Sequence, residues 1–360
     1  MSEMDLARKE INRIDAEMAA LFEQRMHEVE RIARYKKENG LPVRDPRREA
    51  ALIESCRQKI QDPAIEDRYV DFMRGMMNVS CAYQESMIRG RRAAYSGVPG
   101  AYAHSAAKRL YPEAECVGYS GFEAAYRAVE SGEADCAVLP LENSYAGEVG
   151  SVMDLLFNGS LYINGVMDLP VRHALLGCPG AEMDGIRKVY SHPQALGQCA
   201  EYIRRHGWKT AECDNTALAA KRVLEDGDPG IAAIASEETA ELYGLKLLES
   251  GINDTANNTT RFAALSRAQN RPSLTGLRED AGFILMCTEQ NKAGALAQTL
   301  NIIGAHGYNM RTLRSRPMKD LQWNYYFYIE AEGSINNANG EMLLRELGAL
   351  CARLKLVGMY

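Results

Sequence analysis

Residues 4–39 contain neither proline nor glycine, and their apolar residues recur at three- and four-residue steps. This period is that of an amphipathic α-helix, so the segment predicts a single long helix. The apolar positions are Ile11, Ile14, Met18, Leu21, Val29 and Ile32. At about 1.5 Å per residue the helix would be ~50 Å long, more than the following ~50 residues can cover, so a partner chain is implied.

Two cations lie within this apolar stripe. Arg25 and Lys36 are eleven residues apart, so at about 100° per residue they point in nearly the same direction. Arg8 points roughly 100° away from Arg25 and would serve a different pocket. Because a cation facing a packed interior is costly unless an anion neutralises it, two alternatives are open. One is an interhelical salt bridge to a Glu, and the other is a pocket for an anionic ligand.

Composition narrows the class of protein. The 360 residues, 46% hydrophobic and 25% charged, suit two or three ordinary domains. A net charge of −6 with no basic run interleaved with aromatics argues against nucleic acid. Neither a transmembrane run nor a signal peptide is evident, so we expect a cytoplasmic protein that does not bind membranes. The nine cysteines form no C-x-x-C pair and no glycine-rich nucleotide motif occurs, so we expect no metal and no cofactor.

The sequence predicts three domains that differ in their pattern of helices and strands. Residues 1–90 carry almost no strand signal and read as three helices, separated by turns at 39–42 and 62–63. Residues 91–270 alternate short apolar strands with helices, which predicts an α/β domain in two lobes. Residues 278–360 predict a βαββαβ sandwich, an α+β unit of ferredoxin-like type.

The helical domain offers cations and hydrogen-bonding groups, with no His or Cys beside a base. Such a site suits a dianionic substrate whose reaction needs no covalent intermediate. Segments 8–11, 23–25, 42–49 and 80–84, together with Lys36, resemble the all-helical chorismate mutase family. The resemblance implies a homodimer or homotetramer in which Arg8 crosses from the partner and binds carboxylates with Arg25.

The same resemblance implies roles for the remaining polar side chains. Arg48 faces the substrate, while Lys36 and Gln84 bond the ether oxygen as its C–O bond breaks. The side chains that orient the ring hydroxyl and nearby groups are Asp45, Glu49 and Ser80. Because Gln84 is neutral throughout, we expect little change in mutase activity between about pH 6 and 8.

Polar motifs follow the apolar strands of the middle domain at 97–104, 139–144, 191–196 and 257–262. Ser191 is a plausible N-cap before Pro193, so backbone N–H groups there could meet a carboxylate. Over about 180 residues the domain resembles the prephenate dehydratase family, which implies a periplasmic-binding-protein-like fold and conversion of prephenate to phenylpyruvate. In that family Thr260 is the favoured proton donor. The residues implied to bind substrate are Asn143, Ser144, Gln194 and Arg261; for His192 a structural role at a helix start is the preferred interpretation.

The C-terminal domain carries Gly294-Ala295-Leu296-Ala297 at a strand-to-helix turn and Arg314-Ser315-Arg316-Pro317 at a strand end. With these motifs it resembles the ACT regulatory domain, which implies a phenylalanine site between subunits. The residues implied to bind the effector are Gly294, Ala295, Leu296, Arg314, Ser315 and Arg316. The family pattern has Pro before the first motif and Glu at the start of the second, where this chain has Ala293 and Arg314.

The three resemblances in this order predict a bifunctional chorismate mutase/prephenate dehydratase of phenylalanine biosynthesis, inhibited by phenylalanine. A non-enzymatic amino-acid sensor with solute-binding-like and ACT domains is the alternative, but it leaves Arg25, Lys36, Arg48 and Gln84 unexplained. A mutase fused to prephenate dehydrogenase would need a nicotinamide-binding glycine loop, which the sequence lacks.

Overall fold

A computed structural model describes residues 2–255, 257–269, 281–289, 292–318 and 324–360. The chain divides into two compact units, one up to Arg92 and one from Ala93 onward. No helix in these ranges is both long and apolar enough to cross a membrane.

The first unit is a three-helix assembly, as predicted. Its helices are α1 (Glu3–Glu38), α2 (Pro46–Arg57) and α3 (Glu66–Arg89). A capping box between Ser2 and Asp5 begins α1, and the Asp45 carboxylate accepts two backbone N–H groups at the start of α2. The third helix begins later than the predicted start at 62–63, because Asp62 accepts the Ala64 N–H in a turn instead.

The long helix α1 buries little of its apolar stripe within its own unit. Among its residues only Val29 and Ala33 are buried, both in the C-terminal half that packs on α3. The exposed apolar side chains of α1 include Ile11, Ile14, Met18, Leu21 and Phe22. The described chain therefore leaves a continuous apolar stripe of α1 exposed.

The second unit contains the two predicted lobes and the C-terminal sandwich. The strands of the lobes are β1 (Arg92–Ser96), β2 (Glu115–Tyr119), β3 (Cys136–Asn143), β4 (Gly147–Glu148), β5 (Tyr162–Pro170), β6 (Ala174–Gly177), β7 (Lys188–Ser191), β8 (Lys209–Glu212), β9 (Ile231–Ala235), β10 (Lys246–Ser250) and β11 (Thr259–Ser266). Their helices are α4 (Tyr102–Leu110), α5 (Phe122–Glu130), α6 (Gly150–Asn158), α7 (Pro193–Gln198), α8 (Ala200–His206), α9 (Thr216–Asp226) and α10 (Glu237–Tyr243), with a 3-10 turn at Met183–Gly185.

Each lobe is built on its own sheet. In the second lobe the strand order is β10-β6-β9-β7-β8; in the first, β5-β11-β3-β1-β2, with β4 beside β3. The apolar pattern did not reveal the interior strands β5 and β6 or the strands β2, β8 and β10, which lie at sheet edges. An edge strand meets fewer neighbours, so its sequence need not be a continuous apolar run.

The C-terminal segment has the predicted βαββαβ order. Its elements are β12 (Gly282–Thr288), α11 (Ala295–Ala305), β13 (Met310–Pro317), β14 (Tyr325–Glu332), α12 (Ala338–Leu350) and β15 (Arg353–Met359). The sheet is antiparallel in the order β13-β14-β12-β15, and β15 touches β5 of the first lobe at the pair Gly358 and Ile163. A Cβ at Gly358 would collide with the Ile163 backbone, so only glycine permits this approach. Side chains of β12, β14 and β15 share one core cluster with the first lobe.

Candidate active sites

A cavity of about 760 Å³ lies in the three-helix unit. It is lined by seven of the eight residues predicted for this unit, namely Arg25, Lys36, Asp45, Arg48, Glu49, Ser80 and Gln84. The structure does not bring Arg8 to this cavity, since Arg8 is exposed in the N-terminal half of α1. The angular argument from the sequence, which separated Arg8 from Arg25 and Lys36, agrees with this placement.

Of the four cations that line this cavity, Arg31 pairs with Glu28 at 3.0 Å, while the three predicted ones have no carboxylate partner among the described residues. The Arg25 guanidinium donates to the Ser80 hydroxyl, and the Lys36 ammonium donates to the backbone carbonyl of Val43. Within the part of the chain that the structure describes, no carboxylate lies within ion-pairing distance of Arg25, Lys36 or Arg48. Of the two alternatives that the sequence left open, the structure therefore favours a pocket for an anionic ligand.

Two buried oxygens in this cavity have no hydrogen-bond donor among the described residues. They are Oε1 of Glu49 and Oε1 of Gln84. An unsatisfied buried oxygen costs about 1–3 kcal/mol, so a ligand that supplies a hydroxyl donor would recover part of that cost. The other oxygen of the Glu49 carboxylate, Oε2, lies 3.9 Å from the Arg44 guanidinium.

A second cavity, of about 470 Å³, lies between the two lobes of the second unit. Residues at the start of four helices line it: Ala101–Ala103 precede and begin α4, Phe122 begins α5, His192–Gln194 begin α7 and Asn215–Thr216 begin α9. None of its described lining residues is a Lys or Arg. Helix N-termini carry partial positive charge, which favours an anion here without side-chain cations, while the one acid of the described lining is Asp214.

Thr260 and Asn143 face this cavity as a cross-strand pair on β11 and β3. Asn143 Oδ1 accepts the backbone N–H groups of Tyr145 and Ala146, at 3.0 and 2.9 Å, which sets the orientation of the amide. Asn143 Nδ2 must then donate to Thr260 Oγ1, at 2.9 Å. With its oxygen acting as an acceptor, the Thr260 hydroxyl keeps its own proton for a ligand in the cavity.

Three sequence predictions about this site need correction. Arg261 does not line the cavity, because adjacent side chains of a strand point to opposite faces and its guanidinium bonds Asp168 and Glu330. Ser144 does not line it either: its hydroxyl donates to the Asn257 carbonyl in a turn. Ser191 is not the N-cap of α7, since it ends β7 and donates to the Ile234 carbonyl.

His192 takes the capping position at α7. Its Nδ1 accepts the Gln194 N–H at 3.2 Å, so the structural interpretation of this histidine is confirmed. Gln194 itself lines the cavity, with its Nε2 atom 3.5 Å from Asn143 Oδ1.

Sequence reasoning missed a buried hydrogen-bond chain that ends at Thr260. Asn143 donates to Asn258 Oδ1 at 2.8 Å, and Asn258 donates to Gln198 Oε1 at 2.8 Å. His173 Nε2 lies 2.7 Å from the same Gln198 oxygen, so this nitrogen carries a proton. Burial lowers the pKa of His173, which favours the neutral ring. Its Nδ1 lies 3.0 Å from the Tyr102 hydroxyl, which donates to the Arg172 carbonyl at 2.7 Å. A signal existed, because the titratable His173 stands directly before the apolar strand β6.

The predicted effector residues lie in two places, at the start of α11 and on β13. Gly294 adopts φ +81° as the N-cap of α11, where a left-handed conformation favours glycine; Ala295 is buried and Leu296 is half-buried. Ser315 is exposed on the outer face of β13. Arg314 and Arg316 point the other way and pair with Glu142 and Glu148 of the first lobe.

The two cavities coincide with matches to two family models. The model "Chorismate mutase type II" matches residues 7–85, and "Prephenate dehydratase" matches residues 93–270. A bifunctional chorismate mutase/prephenate dehydratase from Enterobacter agglomerans is 31% identical over 98% of this chain and 94% of its own length. The chain belongs to this bifunctional family. Bifunctional chorismate mutase/prephenate dehydratases rearrange chorismate to prephenate and convert prephenate to phenylpyruvate, and this chain is such an enzyme of phenylalanine biosynthesis.

Solved structures cover the dehydratase part of the bifunctional enzyme. A prephenate dehydratase from Arthrobacter aurescens in complex with L-Phe superposes with a TM-score of 0.68 at 26% identity, over 75% of this chain and 89% of that one. A protein described as a quorum quenching acylase, GqqA, gives the same TM-score at 31% identity, over 75% of this chain and 97% of that one. The fold class of the second unit is therefore that of the dehydratases, as the sequence predicted.

Proposed function

We propose that the cavity of the helical unit binds chorismate as a dianion and rearranges it without covalent chemistry. The observation that carries this assignment is the set of unpaired cations, Arg25, Lys36 and Arg48, around one cavity. Arg25 and Arg48 bind carboxylates. Lys36 and Gln84 donate to the ether oxygen, where negative charge develops as the C–O bond breaks.

The remaining polar residues orient the ring. The unsatisfied Glu49 oxygen accepts the ring hydroxyl, and Asp45 and Ser80 hold neighbouring groups in place. Fixing one reactive conformer of chorismate supplies much of the rate gain, because the rearrangement is intramolecular.

The mutase site is completed by a second copy of the chain. The exposed apolar stripe of α1 supplies the dimer surface, and Arg8 reaches the partner's cavity from it. Mixing Arg8→Ala and Arg25→Ala chains tests this directly, since a hybrid dimer regains one intact site. Because a symmetric dimer exchanges the same residues in both directions, equal mixing should restore about a quarter of wild-type mutase activity. Mixed chains as inactive as either variant alone would contradict a shared site.

The cavity between the lobes binds prephenate and eliminates its ring carboxylate and hydroxyl. The bond between the ring and the carboxylate breaks, its electron pair moves through the ring, and the C–O bond opposite breaks. The Thr260 proton passes to the departing oxygen, which leaves as water beside CO2 and phenylpyruvate. Asn143 donates to the Thr260 oxygen and stabilises the charge left there, and solvent then returns the proton.

Substrate carboxylates in this cavity meet dipoles rather than cations. The N-termini of α4, α5 and α9 and the amide of Gln194 supply the donors. Supplying chorismate with no cofactor and following phenylpyruvate tests both activities at once. Accumulation of prephenate alone would refute the dehydratase assignment, and unchanged chorismate would refute both.

We also propose that phenylalanine binds the C-terminal domain and lowers dehydratase activity. Support comes from the L-Phe complex of the related dehydratase and from Gly294 at the start of α11. The exposed residue Ser315 and the strand β13 offer a further surface for the effector, although Arg314 and Arg316 are engaged by the first lobe. Calorimetry at millimolar phenylalanine should show binding, and its absence would contradict this role.

The predicted domain bounds, 1–90, 91–270 and 278–360, and a cytoplasmic location belong to the same proposal. Limited proteolysis that cuts near residues 90 and 275 would support these bounds.

A further inference from the structure

Next to the proposed catalytic pair, two charged residues of the same strands face the opposite side of the sheet. On β11 and β3, Thr260 is paired with Asn143, and the next register pair is Arg261 with Glu142. Because side chains alternate along a strand, Arg261 and Glu142 stand on the face of the sheet opposite to the cavity. The contacts of Arg261 and Glu142 therefore show what packs against that opposite face.

Arg261 contacts a buried acid of the C-terminal domain. Its Nη1 atom lies 3.1 Å from Oε1 of Glu330 on β14, and its Nε atom lies 3.1 Å from Asp168 of β5. Glu330 is only 3% exposed, and it also accepts the hydroxyls of Tyr328 and Tyr360. A carboxylate this deeply buried needs its cation, because one unpaired charge left in the interior is strongly unfavourable.

Glu142 makes the reverse contact. It accepts from the guanidinium of Arg314 on β13, and both side chains are about one-third exposed or less. The C-terminal domain thus places the acid Glu330 beside Arg261 and the cation Arg314 beside Glu142. Each strand that carries a catalytic residue is held, one residue away, by a charge of the opposite sign.

We propose that Glu330 and Arg314 are positioning residues of the dehydratase, holding Thr260 and Asn143 in register through Arg261 and Glu142. This inference rests on the proposed role of Thr260. Neither residue touches the cavity, so their loss disturbs the alignment of the proton donor rather than the surface that binds substrate. Turnover should therefore fall more than substrate affinity, since small misplacements of a reacting group are costly.

The first test compares Glu330→Gln with Glu332→Gln. Both acids lie on β14, but Glu332 pairs with Arg311 and Asn309 inside the C-terminal domain. Glu330→Gln should lower dehydratase kcat about tenfold with KM changed less than about twofold, whereas Glu332→Gln should leave both within about twofold. Mutase activity of the same chains serves as an internal standard for enzyme concentration. Equal dehydratase kcat in the two variants would overturn the proposal.

The second test is a charge swap at the more exposed contact, which decides the question even if Glu330→Gln fails to fold. Arg314→Glu places two acids together and should lower dehydratase kcat about tenfold. Adding Glu142→Arg restores opposite charges and should return most of that loss. An unchanged kcat in Arg314→Glu, or no recovery in the double variant, would overturn the proposal.

These outcomes are distinct from a failure of the proposed catalytic role. If Thr260→Ala keeps its dehydratase activity, the assignment of the proton donor is wrong whatever the charge variants show. If Thr260→Ala is inactive while the charge variants retain full kcat, only the positioning role is wrong.

Discussion

The two cavities present opposite surroundings to the anionic substrates that we propose for them. In the helical unit, Arg25, Lys36 and Arg48 line the cavity and keep their charges free of protein carboxylates. Between the lobes, the described lining contains no Lys or Arg and one acid, Asp214, and the nearby cation Arg261 pairs with Asp168 and Glu330. The comparison teaches that a dianion can be bound by unpaired side-chain charges or by converging helix N-termini.

The difference follows from what each reaction needs. Breaking the chorismate ether bond shifts charge without moving a proton, so fixed cations are sufficient. Removing a hydroxyl from prephenate needs a proton donor at the departing oxygen, and in the proposed mechanism the uncharged Thr260 hydroxyl supplies that proton. The neutral chain from His173 through Gln198, Asn258 and Asn143 orients the hydroxyl without adding charge.

The largest expected effect is that of Thr260→Ala, which should remove one of the two enzyme activities and leave the other. Thr260→Ala should reduce dehydratase kcat by about 10³-fold, because it removes the proton donor, and leave mutase activity unchanged. Thr259→Ala is the matched control, since the described structure gives that hydroxyl no hydrogen bond. Coupled assays of chorismate and prephenate consumption measure both activities. Retained phenylpyruvate formation in Thr260→Ala would contradict the role of Thr260 as the proton donor that distinguishes the two sites.

The converse change should affect only the helical unit. Lys36→Met should lower mutase kcat about 10²-fold, because the developing charge on the ether oxygen loses its cation. Lys37→Met removes the same charge one residue later, on the exposed side of α1, and should change mutase activity less than about twofold. Similar losses in both variants would mean that net charge, rather than a placed ammonium, assists the rearrangement.

A smaller effect tests the neutrality of Gln84. The wild-type mutase should be nearly independent of pH between about 6 and 8, since no group here changes charge in its working form. Gln84→Glu works only with a protonated carboxyl, so its activity should fall as pH rises, by up to about tenfold per unit. Rate profiles of both chains provide the measurement. A steep fall in the wild type would exclude the neutral amide role.

The smallest expected effect concerns stability of the dehydratase unit. Burial lowers the pKa of His173 in the folded state, so the unfolded chain binds its proton more readily. The stabilising contribution of the neutral ring is complete above the ordinary histidine pKa and is lost as pH falls below it. Burial also lowers the pKa of His104, so His173→Gln should reduce the slope of Tm against pH without abolishing it. An identical slope in both chains would show that His173 titrates normally.

Local patterns predicted elements well and contacts across the chain poorly. The helical period placed Arg25 and Lys36 together, and the order of the last six elements was confirmed. Arg261 was assigned to substrate because its neighbour Thr260 belongs to the site, yet strand alternation sends it to the other face. His173 and Asn258 were missed because their partners lie 25 and 115 residues away.

By itself, the sequence determined the family and the division of the chain into three parts with different patterns of helices and strands. It also determined that cations share one face of the first helix. These depend on periods and motifs that act within a few turns or strands. Only the tertiary structure decided which cations stay unpaired, which way the Asn143 amide points and what meets Arg261 behind the sheet. Such choices depend on burial and on partners distant in the chain, because a charge or amide changes its role with the groups that surround it.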